Sequence, residues 1–158
     1  MMLSNKQTKR KMKKLILLLL FVPLVSCQDV EVRKTYYKSG ELASTVNYVD
    51  GLQQGEYKAY FRSGKLKRTE NYINDLIQGQ LKEYYDSGVL AYTENYVDGL
   101  RQGEWKWYYK SGELEYTVNY VDDLKQGEYK YYRESGELEH TGNYVDGLEQ
   151  GEWKWYYK

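Results

Sequence analysis

Apolar and polar residues alternate along most of the chain with a period of two, which is typical of β-strands. The runs Glu104 to Tyr109 and Leu114 to Val121 show this pattern most clearly. Turn-forming residues separate such runs, at Lys110-Ser111-Gly112 and again from Asp122 to Gly127. Glycine readily adopts the positive φ that tight turns require, and Asp and Asn tolerate it next best. Each pair of runs therefore predicts one β-hairpin.

The hairpin pattern recurs every 24 residues from residue 36 to residue 158. In each unit a Ser-Gly pair marks one turn and a second glycine marks the other end, with a Leu, a Thr, an Asn-Tyr pair and a Lys between them. The Ser-Gly pairs are Ser39-Gly40, Ser63-Gly64, Ser87-Gly88, Ser111-Gly112 and Ser135-Gly136, and the second glycines are Gly55, Gly79, Gly103, Gly127 and Gly151. We predict an all-β fold, an elongated single-layer antiparallel β-meander of tandem 24-residue β-hairpins. Residues 36–158 would hold five units and the first strand of a sixth, each stabilised by its neighbours.

Composition supports this fold and limits what can fill its interior. The chain contains 20 Tyr and 4 Trp beside 14 Gly and a single Pro, which favours strands and tight turns over helices. Leucine is frequent only near the N-terminus, so apolar burial in the repeats must come mainly from aromatic side chains.

The N-terminal segment has the order of features found in export signals. A basic stretch ends at Lys14, and an apolar run follows from Leu15 to Val25. This run is shorter than the roughly 20 residues that a membrane-spanning helix needs. The next residues, Ser26 and Cys27, complete a Leu-Val-Ser-Cys sequence that resembles the bacterial lipobox, whose cysteine is joined to diacylglycerol.

We therefore expect residues 1–26 to be a cleaved lipoprotein signal peptide and Cys27 to carry lipid. Residues 27–35 would form a lipid-anchored linker and the start of the first strand. Gln28 rather than Asp follows the cysteine, and by resemblance to enterobacterial sorting signals this favours the outer membrane of a Gram-negative cell envelope. An ordinary export signal followed by a free thiol is the alternative.

Charge is divided unevenly between the two parts of the chain. Six of the 23 basic residues and none of the 23 acidic residues lie within residues 1–26, which leaves 17 basic against 23 acidic residues from Cys27 onward. Nucleic-acid binding requires clustered Lys and Arg against phosphates. The acidic excess therefore argues against a nucleic-acid partner.

The order Tyr-Val-Asp-Gly-Leu, Gln-Gly-Glu-Trp-Lys-Trp-Tyr-Tyr and Ser-Gly-Glu-Leu resembles the MORN repeat variant of bacterial proteins, which includes the YwqK family of proposed antitoxins. The resemblance covers residues 36–158. It implies a hairpin array, and for ordinary MORN repeats it implies membrane tethering and protein scaffolding.

Side chains alternate across a strand, so the recurring positions can be assigned to two faces. One face carries the constant Thr, Asn and Lys, and we interpret the aliphatic residues that share it as architectural: Val49, Ile73, Val97, Val121 and Val145. The other face varies between units and is bulkiest in the later ones. Repeat proteins adapt a binding surface by such variation within a constant frame.

We predict that ligand contacts lie on this variable face, at Trp105, Trp107, Tyr129, Tyr131, Trp153 and Trp155. The alternative is that these rings only cover the sheet by cross-strand packing, at about 0.2 to 1 kcal/mol for each pair.

Few residues could support catalysis or hold a cofactor. His140 is the single histidine and Cys27 the single cysteine, so neither a Ser-His-Asp triad nor a CxxC metal or redox site can be assembled. The loop acids Asp122, Asp123 and Glu128 lack the closely spaced Gly and Asp of calcium-binding β-rolls, and we interpret them as solvated loop charge. We expect no enzyme activity, no cofactor and no metal.

The sequence thus predicts a membrane-anchored, non-catalytic binding or scaffolding lipoprotein that presents an aromatic surface to a protein partner. One alternative is a glycan or cell-wall binding module, because the aromatic segments are similar to those of choline-binding repeats, although their period differs. Another alternative is an antitoxin-like partner protein. Rings repeated along a ribbon suit an extended polymer, either a peptide or a glycan.

Overall fold

The computed structural model describes residues 29–157, and all regular structure in that range is β-strand. The predicted all-β meander is confirmed. The strands are β1 (Val30–Tyr36), β2 (Leu42–Val49), β3 (Leu52–Gln53), β4 (Gly55–Tyr60), β5 (Leu66–Ile73), β6 (Leu76–Ile77), β7 (Gly79–Tyr84), β8 (Leu90–Val97), β9 (Leu100–Arg101), β10 (Gly103–Tyr108), β11 (Leu114–Val121), β12 (Leu124–Lys125), β13 (Gly127–Tyr132), β14 (Leu138–Val145) and β15 (Leu148–Trp155).

The fifteen strands form one open antiparallel sheet. The longer strands follow one another in chain order, from β1 at one edge to β15 at the other. The two-residue strands β3, β6, β9 and β12 each pair only with the end of the strand before them. The array therefore grows by one hairpin per unit, as the repeat predicts.

Each hairpin closes at its Ser-Gly turn through two backbone hydrogen bonds. In the turn between β10 and β11, the Tyr109 amide donates to the Glu113 carbonyl at 2.8 Å and the Gly112 amide donates to the Tyr109 carbonyl at 2.9 Å. The register shifts by one residue beside the turn, between Trp107 and Tyr108. A β-bulge of this kind leaves one extra residue on the longer strand of every unit.

At the other end of each unit the chain reverses through two residues with positive φ. In the first unit these are Asp50 at 51° and Gly51 at 83°, the pair of angles that a type I′ turn needs. Asn74 and Asp75 adopt the same turn without glycine. We call this turn and the short strand after it the hook of the unit.

Hydrogen bonds join each hook to the next. The side-chain oxygen of Gln102 accepts from the Asp122 amide at 2.9 Å, and the Arg101 carbonyl accepts from the Asp123 amide at 3.1 Å. The same glutamine contact joins Gln54 to Asn74, Gln78 to Asp98 and Gln126 to Asp146. This hook ladder connects the units in addition to the strand pairing.

The aliphatic residues interpreted as architectural lie beside the hooks. Val97 pairs with Leu100 and Val121 pairs with Leu124 across the turn, and all four side chains are exposed. These residues contribute to the hooks and not to the buried core.

The opposite edge of the sheet has a second set of contacts between units. The hydroxyl of Tyr85 donates to the Tyr108 carbonyl at 2.7 Å. Equivalent bonds run from Tyr37 to Tyr60, from Tyr109 to Tyr132, and from the Arg133 guanidinium to Tyr156. Phe61 takes this position in the second unit and has no hydroxyl to donate.

The array begins with β1, which occupies most of the segment predicted as linker and strand start. Asp29 already belongs to the hook ladder, since its carbonyl accepts from the Asp50 amide at 3.0 Å. The predicted signal peptide and the predicted lipid attachment at Cys27 fall outside the described residues.

Candidate binding surface

The strand register divides the side chains into the two faces that the sequence predicts. Between β10 and β11, Lys106 lies opposite Thr117, whereas Trp107 lies opposite Tyr116. The constant polar residues therefore share one face, and the variable residues share the other. We call the variable side the aromatic face.

One row of the aromatic face lies near the Ser-Gly turns and consists of stacked rings. Trp107 lies between Tyr92 and Tyr116, with ring centroids at 5.6 and 4.5 Å and interplanar angles of 22° and 11°. Further along the row, His140 lies between Tyr131 at 4.9 Å and Trp155 at 4.2 Å. Both faces of the Trp107 indole are therefore covered by its neighbours.

The next row forms the buried core of the sheet. Trp105 is only 6% exposed, and it packs on Val118 and on Tyr120, whose ring centroid is 4.4 Å away. Its indole nitrogen donates to the Asn95 carbonyl at 3.4 Å. A single-layer sheet thus obtains a core because large rings cover their neighbours on one face.

The six predicted contact residues lie on this one face, but they differ in accessibility. Trp105 is buried, and Trp107, Tyr129, Tyr131 and Trp153 are half-buried. Trp155, on the last strand, is 52% exposed. The packing alternative describes Trp105 well, whereas Trp155 is available to a partner.

The same face contains residues that the candidate list did not include. Tyr92, Tyr116 and His140 complete the stacked row. These residues share a face with the tryptophans because side chains alternate along each strand. This alternation could have identified them as candidates from the sequence.

The aromatic face of the earlier units is a polar network. Glu70 is 4% exposed, and it pairs with the Arg68 guanidinium and accepts from the Tyr72 hydroxyl at 3.0 Å. In the next unit the Tyr92 hydroxyl donates to Glu83 at 2.5 Å. Sequence reasoning did not find this network, because a glutamate within an alternating pattern usually indicates a solvent-facing position.

Burial raises the pKa of several tyrosines on this face. Desolvation is the largest cause for Tyr72 and Tyr129, and it raises the pKa of each to about 12. Desolvation also raises the pKa of the Glu94 carboxyl, against the hydrogen bond from Tyr96 that lowers it. These groups are therefore held in their neutral forms more firmly than free side chains are.

One of the loop acids has a structural role. The Asp123 carboxylate accepts from the Arg101 guanidinium at 2.7 Å and from the Arg101 amide at 3.0 Å. These hydrogen bonds lower the pKa of Asp123. The Asp123 side chain is 40% exposed, and its carboxylate also joins two neighbouring hooks.

The described part of the chain contains no group of three or more His, Cys, Asp or Glu residues placed to hold a metal ion. Within residues 29–157 no helix has the length and hydropathy of a membrane span.

Comparison with known proteins identifies the family of the repeats. The profile of the MORN repeat variant matches residues 32–50, 53–74, 77–98, 101–122 and 125–146. No curated protein matches the chain. Among solved structures, a chain from the crystal structure of a GtfA/B complex bound to UDP and GlcNAc is similar at 15% identity and a TM-score of 0.30. The match covers 75% of this chain and 24% of that one, so the protein spans about a quarter of the length of that relative.

Proposed function

The chain belongs to the MORN repeat variant family, and from this premise we propose that it is a non-catalytic binding or scaffolding lipoprotein that presents its aromatic face to a protein partner. The observation that carries the proposal is the exposed end of that face. Trp155 lies at the end of the stacked row and is 52% exposed, and Tyr157, which has the same parity, is 85% exposed. Binding energy at protein interfaces concentrates in Trp and Tyr, and clustered exposed rings usually mark an interaction site.

The proposal places the protein in the cell envelope, anchored through lipid on Cys27. Its support is the order of basic, apolar and lipobox segments before the repeats. Several acyl chains on one residue anchor a protein stably, at about 0.8 kcal/mol for each buried methylene. We further propose the outer membrane, from Gln28. The resemblance to the YwqK family supports the alternative that the chain is itself an antitoxin-like partner protein.

The anchor is tested by labelling growing cells with radioactive palmitate. The wild-type chain should incorporate label and sediment with membranes, and Cys27→Ser should do neither. Equal labelling of both proteins would contradict the anchor without affecting the proposal about the aromatic face.

The partner surface is tested by affinity capture from solubilised envelopes, with the bound proteins quantified by mass spectrometry. Trp155→Ala combined with Tyr157→Ala should reduce capture of the same partner at least tenfold, because both exposed rings are removed. Lys154→Ala is the matched control, since Lys154 neighbours Trp155 on the same strand but faces the opposite side. Equal loss in the control, or unchanged capture by the double variant, would reject the surface.

A further inference from the structure

A cleft of about 650 Å³ opens on the aromatic face near the Ser-Gly turns of the second and third units. Its aromatic walls are Phe61, Tyr85 and Tyr92. Trp107 contributes only the edge of its ring, because Tyr92 and Tyr116 cover its two faces. It lies away from the exposed C-terminal rings proposed to bind a protein.

The lining of the cleft includes a repeat position that carries a small residue in this unit. Ala91 lies in its lining and is 8% exposed. The equivalent bulge position carries Lys67 in the preceding unit and Glu115 and Glu139 in the following ones. A long side chain at residue 91 would fill space that is open in this unit.

Ring stacking and a hydrogen bond position three of the aromatic residues that line the cleft. Tyr92 and Trp107 stack on each other with ring centroids at 5.6 Å. The hydroxyl of Tyr85 is held by the Tyr108 carbonyl at 2.7 Å. Because these rings are already positioned, a ligand would meet a largely preformed surface, which reduces the entropy cost of binding.

Charged groups of both signs line the same cleft. Glu83 and Asp86 contribute carboxylates, and Lys67 and Lys110 contribute ammonium groups. Part of this polar lining is already oriented, since Glu83 accepts from the Tyr92 hydroxyl and Asp86 accepts from the Ser63 hydroxyl at 2.7 Å. The two positive and two negative charges balance, so the cleft favours neither a strongly anionic nor a strongly cationic ligand.

We propose that this cleft binds a pyranose unit of a neutral glycan. A pyranose ring has apolar C–H faces that suit aromatic walls and hydroxyl groups that both donate and accept hydrogen bonds. Ammonium groups can only donate and carboxylates can only accept, so the mixed lining matches hydroxyls. An apolar side chain of a protein partner would leave these charged groups desolvated and unpaired, which is costly.

The test is calorimetric titration of the full chain, in a detergent without a sugar headgroup, with maltotetraose, cellotetraose and chitotetraose. At least one tetrasaccharide should bind the wild type, and Ala91→Glu should weaken that binding at least tenfold. Glu is already the residue at two equivalent positions, so the repeat accommodates it. Ala43→Glu makes the same change at the same repeat position outside the cleft, and it should bind as the wild type does.

Lys110→Ala provides a second variant that leaves the strands unchanged, and it should also weaken binding because one donor is lost. The proposal is overturned if no tetrasaccharide binds the wild type at millimolar concentration, or if Ala91→Glu binds as tightly as Ala43→Glu. It is also overturned if no tetrasaccharide binds but an extended neutral peptide does, and if Ala91→Glu abolishes that peptide binding. Capture of a protein through Trp155 is measured separately, so either result can fail without the other.

Discussion

The indole ring of Trp153 lies directly over the α-carbon of Gly142. A β-carbon built on Gly142 would come within 2.7 Å of ring carbon Cε3, and closer still to two other ring carbons. Gly142 does not have the positive φ of the turn glycines, so its role is to leave room for the ring. The equivalent position carries Val46, Glu70, Glu94 and Val118 in the other units.

We predict that Gly142→Ala destabilises the protein by about 1 to 3 kcal/mol, the usual range for an overpacked site. A loss of stability would be informative, because replacing Gly by Ala within a strand normally stabilises a protein by about 0.5 to 1 kcal/mol. Urea denaturation followed by circular dichroism measures the difference. A gain in stability would show that Trp153 does not lie over Gly142.

Trp153→Tyr should rescue a larger side chain at residue 142. Unit four combines Val118 with Tyr129 at the equivalent positions, so Gly142→Val with Trp153→Tyr recreates a pairing that the protein already contains. The double variant should be more stable than Gly142→Val alone by at least about 1 kcal/mol, within the range of coupling between touching residues. Additive effects would indicate that the two residues are independent.

A second prediction concerns the tyrosine bonds along the Ser-Gly edge. Phe61→Tyr supplies the missing hydroxyl and should stabilise the protein by about 0.5 to 1.5 kcal/mol through a hydrogen bond to the Tyr84 carbonyl. Tyr85→Phe removes the bond to Tyr108 and should destabilise by a similar amount. Urea midpoints that move in the same direction for both variants would contradict this account.

The sheet and its two faces could be predicted from the sequence because they depend on local chemistry. Asp-Gly turns, Ser-Gly turns and strict alternation set the strand ends and the parity of each side chain. The pairings of Lys106 with Thr117 and of Trp107 with Tyr116 follow from that parity.

Burial within a face could not be predicted in this way. Trp107 and Trp155 share a repeat position, yet Trp107 lies between two rings and Trp155 is exposed. The difference arises because β11 covers one side of β10, whereas β15 is the edge strand of the sheet. Glu70 is buried for a related reason, since its partners Arg68 and Tyr72 surround it within the same strand. Exposure in a repeat array depends on neighbours and not on the repeat sequence alone.

The third prediction follows from the hook ladder. Deleting residues 79–102 joins Gln78 to Gly103, which preserves the Gln-Gly junction of every unit. The shortened protein should fold with the same strand spectrum and a smaller urea m value, since m scales with the surface exposed on unfolding.

Deleting only residues 79–90 is the control. This deletion removes β7 and the turn after it, so that β8 becomes the next long strand after β5. In the intact sheet β5 and β8 run in the same direction with β7 between them, and without β7 they cannot pair in the antiparallel way. This variant should lose cooperative unfolding. Equal stability of the two deletions would contradict a sheet built from whole hairpins.

The last prediction is that the protein unfolds in alkali as the half-buried tyrosines of its aromatic face ionise. Burial is the largest cause that raises the pKa of Tyr92, Tyr96 and Tyr116 above the ordinary value of 10, and it brings Tyr72 and Tyr129 to about 12. When the pKa of a group is higher in the folded state than in the unfolded chain, its contribution to stability is fully present at pH values below the unfolded-state pKa. That contribution is lost as the pH rises from the unfolded pKa toward the folded one. Stability should therefore be constant with respect to these tyrosines up to about pH 9 and fall steeply above pH 10.

The measurement is a tyrosinate absorbance titration alongside circular dichroism, in which a large part of the absorbance change should coincide with loss of the strand signal. Full ionisation near pH 10 with the sheet intact would show that the aromatic face is open to solvent.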